Sequence, residues 1–186
     1  DVQYNEHPGS VFGAGNGNTS NNTIGAVYSS TVVIDGNAHV KGSVFGGGNY
    51  GAVGTTLTSD TTSKIKILGG TIDEAVYAGG NNNGGGNSAS NTCDMDIEMT
   101  GGTVGYIYGG SRLNGVVYGN STVNVLGGTV NTDVYGGGYS ANVETVDYET
   151  NESIELANIL FFEMPHQIVD NAGRREITIT GGGNAY

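Results

Sequence analysis

Five stretches of the chain alternate apolar and polar residues with a period of two and then close on glycine. They run Thr31-Val32-Val33-Ile34-Asp35-Gly36, Lys64-Ile65-Lys66-Ile67-Leu68-Gly69-Gly70, Asp96-Ile97-Glu98-Met99-Thr100-Gly101-Gly102, Thr122-Val123-Asn124-Val125-Leu126-Gly127-Gly128 and Glu176-Ile177-Thr178-Ile179-Thr180-Gly181-Gly182. A period of two sends successive side chains to opposite faces, so each stretch predicts a strand with one face buried. The inward columns are purely apolar: Val32, Ile65, Ile97, Val123 and Ile177 form one, and Ile34, Ile67, Met99, Val125 and Ile179 the other. Between them Thr31, Lys64, Asp96, Thr122 and Glu176, and Val33, Lys66, Glu98, Asn124 and Thr178, face water.

A second phrase keeps step with the first: an aliphatic residue, then Phe or Tyr, then a small residue that is glycine in all but one copy. It reads Val11-Phe12-Gly13, Val44-Phe45-Gly46, Val76-Tyr77-Ala78, Ile107-Tyr108-Gly109 and Val134-Tyr135-Gly136, at steps of 33, 32, 31 and 27 residues. Steps of that length mark a repeated supersecondary unit. Three glycine pairs also run on into Thr71-Ile72, Thr103-Val104 and Thr129-Val130, which predicts a further strand around a corner. The expected fold is an all-β parallel β-solenoid (β-helix) of about six coils with a period of roughly 27–33 residues, one domain over residues 1–186. In register, neighbouring coils would lie about 4.8 Å apart. That spacing would set Lys64 over Asp96 and Lys66 over Glu98, and would bury Val44, Val76, Ile107 and Val134 in one column.

Residues 141–175 break the pattern. The gap from Gly127 to Gly181 has room for two coils, and Ser153-Ile154-Glu155-Leu156-Ala157-Asn158 can be laid on the strand template as a degenerate coil with an inserted loop. The competing reading is a short helix capped by Ser153, with Ile154, Ala157, Phe161 and Met164 on one face and Pro165 at its end.

Composition narrows the function classes. The 35 glycines lack the every-third register of collagen, and no apolar run is long enough to span a bilayer as a helix. With 6 basic against 18 acidic residues the net charge is −12, which argues against nucleic acid and against anionic membranes. The cluster Glu144, Asp147, Glu149, Glu152, Glu155 and Glu163 reads as a solvated face. Cys93 is the single cysteine and shares the parity of Met95, Ile97 and Met99, so a buried inert thiol is expected.

Three sets of residues invite chemistry. Asp94, Asp96 and Glu98 project from one strand face, a spacing suited to holding a metal or to acid–base work, although two of them have lysines opposite and read first as a charge ladder. The glycine-asparagine runs Gly13–Asn18 and Gly79–Asn87 resemble the calcium turns of repeats-in-toxin proteins. They carry Asn where the liganding Asp belongs, so tight corners explain them better and no cofactor, Ca²⁺ included, is expected. Asn131-Thr132-Asp133 matches a fragment of a polygalacturonase signature whose remainder is missing. Phe12, Phe45, Tyr77, Tyr108 and Tyr135 would form an outward stacked ladder that could receive the apolar faces of sugars. The alternative, which the two Phe residues favour, is that a bend tucks the rings away.

The phrases Gly-Gly-Thr-Val and Val-Tyr-Gly-Gly-Gly, spaced as in Gly127 to Gly138, resemble the glycine-rich repeats of large bacterial surface proteins, adhesin-like and of the pectin-lyase-like parallel β-helix type. Gly-Gly-Thr-Val is also similar to the Gly-Gly-Ala-Ile repeats of polymorphic autotransporter passengers, without their Phe-x-x-Asn partner motif. The resemblance covers roughly residues 11–140 and 175–186. It implies a secreted or cell-surface stalk or adhesin and transfers no catalytic signature. The expected function is thus a non-enzymatic surface module, with a glycan or a neighbouring cell's surface as partner. A β-helix polysaccharide lyase or hydrolase is the alternative, weakened because His7, His39 and His166 share no template position. A chain opening on Asp1 and stopping after a well-formed strand is expected to be an excerpt of a longer protein, able to associate end to end.

Overall fold

The computed structural model of the chain describes residues 9–18, 24–54, 61–81, 93–113 and 115–141, together with the backbone of four later strands. Every regular element among them is a strand. In chain order these are β1 (Val11–Phe12), β2 (Ser30–Ile34), β3 (His39–Val40), β4 (Val44–Phe45), β5 (Thr62–Ile67), β6 (Thr71–Tyr77), β7 (Asp94–Met99), β8 (Thr103–Tyr108), β9 (Val117–Tyr118), β10 (Ser121–Val125), β11 (Gly128–Val130), β12 (Val134–Tyr135), β13 (Val143–Asp147), β14 (Glu152–Ile154), β15 (Arg175–Ile179) and β16 (Gly183–Ala185).

The alternating stretches pair with one another. They make a five-stranded sheet in the order β15-β10-β7-β5-β2, parallel throughout, in which Val32, Ile65, Ile97, Val123 and Ile177 occupy one register position. The aliphatic-aromatic phrases enter an eight-stranded sheet, β1-β4-β6-β8-β11-β16, with β12 also on β8 and β3 on β6, again parallel in every pair. Val11, Val44, Val76, Ile107 and Val134 follow one another across it. One apolar core joins the two sheets: Ile65, Ile67, Met95, Ile97, Met99 and Val123 on one side meet Val44, Ile72, Val76, Val104 and Ile107 on the other. Each of these side chains is almost wholly buried, and burial of that kind is worth about 1.5–3 kcal/mol per residue.

The expectation of a parallel β-solenoid of about six coils does not stand. β15 pairs directly with β10, and β16 with β11, so the residues between β12 and β15 place no described strand in either sheet. Instead β13 pairs parallel with β9 and antiparallel with β14, giving a third, mixed sheet of three strands. The physical reason lies in the turns. Residues 141–175 contain a single glycine, Gly173, and no glycine pair to carry the chain round another corner, so β13 reverses onto its nearest partner. Glu152–Ile154 is therefore a hairpin strand, neither a coil in the stack nor the first turn of a helix; Glu155 to Pro165 lie outside the described residues.

After Phe12, Phe45 and Tyr108 the repeats approach so closely that a side chain is excluded. A Cβ on Gly46 would overlap the Ala78 carbonyl oxygen and the Ser63 hydroxyl, which explains why this position is glycine although its φ is ordinary. Gly70 is required for the other reason, a φ of +81°. No helix among the described residues is long and apolar enough to cross a membrane.

Candidate functional site

The ring column is built by register. β1, β4, β6, β8 and β12 each end on the aromatic residue, and parallel pairing sets Phe12 beside Phe45, Phe45 beside Tyr77, Tyr77 beside Tyr108, and Tyr108 beside Tyr135. Ring centroids lie 4.8, 5.1, 4.9 and 4.9 Å apart, with interplanar angles of 4–7°. Those distances match the strand spacing, so the backbone imposes near-parallel stacking.

The stack is real, yet its inner members are not a platform. Phe45, Tyr77 and Tyr108 each have both faces covered by neighbouring rings, and with Ala75 and Phe12 they make a second apolar cluster apart from the main core. Phe45 is fully buried, and Tyr77 and Tyr108 are 5% and 7% exposed. The covered alternative therefore holds for the middle of the ladder. Its Phe12 end is partly buried, and its Tyr135 end opens to solvent at 40% exposure.

A polar ladder missed in the sequence runs beside the rings. Asn49 Nδ2 donates to Asn16 Oδ1 at 2.9 Å, Asn81 Nδ2 donates to Asn49 Oδ1 at 2.7 Å, and an Arg112 guanidinium nitrogen donates to Asn81 Oδ1 at 3.1 Å. The signal is present: the four residues recur at steps of 33, 32 and 31, each after a glycine-rich corner, but the column changes type to arginine at its fourth place. These asparagines bond to one another as rungs, which supplies a structural role for the glycine-asparagine corners. Arg112 also hydrogen-bonds the Tyr77 hydroxyl. Burial raises the Tyr77 pKa, and the guanidinium opposes that rise.

A third column is buried. Ser30, Ser63 and Ser121 donate to the carbonyl oxygens of Gly46, Ala78 and Gly109, tying the five-stranded sheet to the corners that follow the rings. Met95 takes the intervening position.

The carboxylate strand is engaged in structure. Asp94 Oδ1 accepts from the Asn120 backbone nitrogen at 2.9 Å and from its Nδ2 at 3.3 Å, and Lys64 Nζ lies 3.8 Å from Asp96 Oδ2. Glu98 stands opposite Lys66 in register, but the ion pair on this face is the Lys64–Asp96 one. The Asp96 carboxyl titrates above its ordinary value, chiefly through desolvation, with Lys64 opposing and Asp94 and Glu98 adding to the rise. Among the described residues no group of three or more His, Cys, Asp or Glu side chains is placed to hold a metal ion. His39 Nε2 pairs with Asp73 Oδ1 at 2.9 Å on the exposed surface, while His7 and His166 lie outside the described residues. Cys93 sits in the core, where burial, then Asp94, pushes its thiol up to about 12.

Compared with known proteins, residues 132–186 match a family model described as "Protein of unknown function (DUF3048) C-terminal domain", less than a third of the chain. No curated protein and no solved structure matches the chain.

Proposed function

We propose that this chain is a non-enzymatic, secreted or cell-surface repeat module with an adhesin-like or stalk role. The observation that carries this reading is the pair of ladders, aromatic and asparagine, that run from repeat to repeat and join neighbouring units. Such columns add mechanical continuity along the stack and spend their polar groups on each other. Asp94 and Asp96, the strongest acid–base candidates, are committed to Asn120 and Lys64, which favours the module over a polysaccharide-degrading enzyme. The resemblance to glycine-rich bacterial surface repeats points the same way.

Two measurements test it. Antibody raised to the chain should label intact source cells without permeabilisation; labelling that appears only after permeabilisation refutes surface display. Incubation with polygalacturonate, alginate and xylan should release no reducing ends or unsaturated products, and release abolished by Asp96→Asn would establish the enzyme instead.

A further inference from the structure

The aromatic ladder changes character along its length. Its middle is sealed, but around Tyr108 three more tyrosines come to the surface: Tyr106 at 37%, Tyr135 at 40% and Tyr139 at 61% exposure. Tyr106 lies 6.1 Å from the Tyr108 ring at 24°, Tyr135 stacks at 4.9 Å, and Tyr139 meets its edge at 5.8 Å and 89°. The ladder thus opens onto a cluster of rings set at different angles. Polar groups border it. Asp133 accepts a hydrogen bond from the Tyr135 hydroxyl at 3.1 Å, whereas the Arg112 guanidinium is engaged by Asn81 Oδ1.

We infer that Tyr106, Tyr135 and Tyr139, with Asp133, form a subsite for a neutral sugar unit of a polysaccharide. This deepens the surface-module reading and rests on it. Rigid tyrosine rings offer flat apolar faces for the C–H face of a pyranose and lose little side-chain entropy on binding. The Asp133 carboxylate at the rim keeps acceptor sites for a sugar hydroxyl beside its bond to Tyr135. The exposed large apolar residues in this cluster are all tyrosines, whose hydroxyls can also hydrogen-bond sugar hydroxyls. Uronic acid and sulfated chains are disfavoured by the net charge of −12.

The test is calorimetric titration of the intact chain with cellohexaose, xylohexaose, mannohexaose and N-acetylchitohexaose, with tyrosine fluorescence read in parallel. At least one should bind and perturb the emission. Tyr139→Ala removes the most exposed ring, which touches the ladder only by its edge, and should weaken that binding about tenfold while the melting temperature stays unchanged. Asp133→Asn should weaken it less. If no neutral hexasaccharide binds, or if Tyr139→Ala and Tyr106→Ala bind as well as the parent chain, the subsite is overturned and the surface-module reading is untouched. Tyrosine-dependent binding followed by cleavage of the sugar would uphold the subsite and overturn the non-enzymatic reading.

Discussion

Replacing Phe45 by Ala tests whether the sealed ring ladder stabilises the stack. Phe45 is fully buried and lies between two parallel rings, Phe12 at 4.8 Å and Tyr77 at 5.1 Å. Deleting a buried phenyl ring costs about 3–5 kcal/mol through lost transfer energy and the cavity left behind. The two stacking contacts lie within that figure at about 0.5–1.5 kcal/mol each. Tyr135→Ala is the internal comparison: its ring is 40% exposed and stacks on one neighbour only, so about 1 kcal/mol is expected. Phe45→Leu separates the two contributions, keeping the burial and losing the stacking, at about 1–2 kcal/mol. Urea unfolding read by far-ultraviolet circular dichroism measures all three. Equal costs for Phe45→Ala and Tyr135→Ala, or a Phe45→Ala cost below about 1 kcal/mol with an unchanged denaturant slope, would refute the reasoning.

Exchanging Lys64 and Asp96 should change stability by less than about 1 kcal/mol, because the pair is 3.8 Å apart and both partners are partly solvated; a loss of several kcal/mol in the same urea assay would mean the pair is more than a surface bridge. Asn81→Ala removes a buried rung that donates to Asn49 and accepts from Arg112, and should cost about 1–3 kcal/mol, whereas exposed Asn16→Ala should cost under about 1. The native Cys93 thiol, with its pKa at about 12 against an ordinary 9.0, should resist iodoacetamide until urea unfolds the chain; rapid native labelling would contradict its burial. Cys93, Tyr77 and Tyr108 all hold their protons more tightly folded than unfolded. The stability linked to them is therefore complete below about pH 9 and is lost as pH rises towards about 12, so the urea midpoint should fall between about pH 8 and about pH 10.5.

The strands of the five-stranded sheet, their inward columns and their parallel register were legible in the sequence, because Val32, Ile65, Ile97 and Val123 recur at matching places in a period-two pattern, and that pattern leaves one face to bury. The burial of Cys93 followed from the same parity. Alternation is a local property, and it says nothing about which strands are neighbours when the repeat lapses. Only the tertiary structure decided that β10 meets β15 directly and that β13 pairs antiparallel with β14 on a third sheet. It also decided the fate of the rings. Val44 and Phe45 have opposite parity, so the sequence could place Phe45 opposite the main core but could not show that stacking at the strand spacing would close that face as well. The asparagine rungs were hidden for a related reason: a hydrogen bond between repeats depends on two side chains meeting about 3 Å apart across neighbouring corners, a distance set by packing and invisible along the chain.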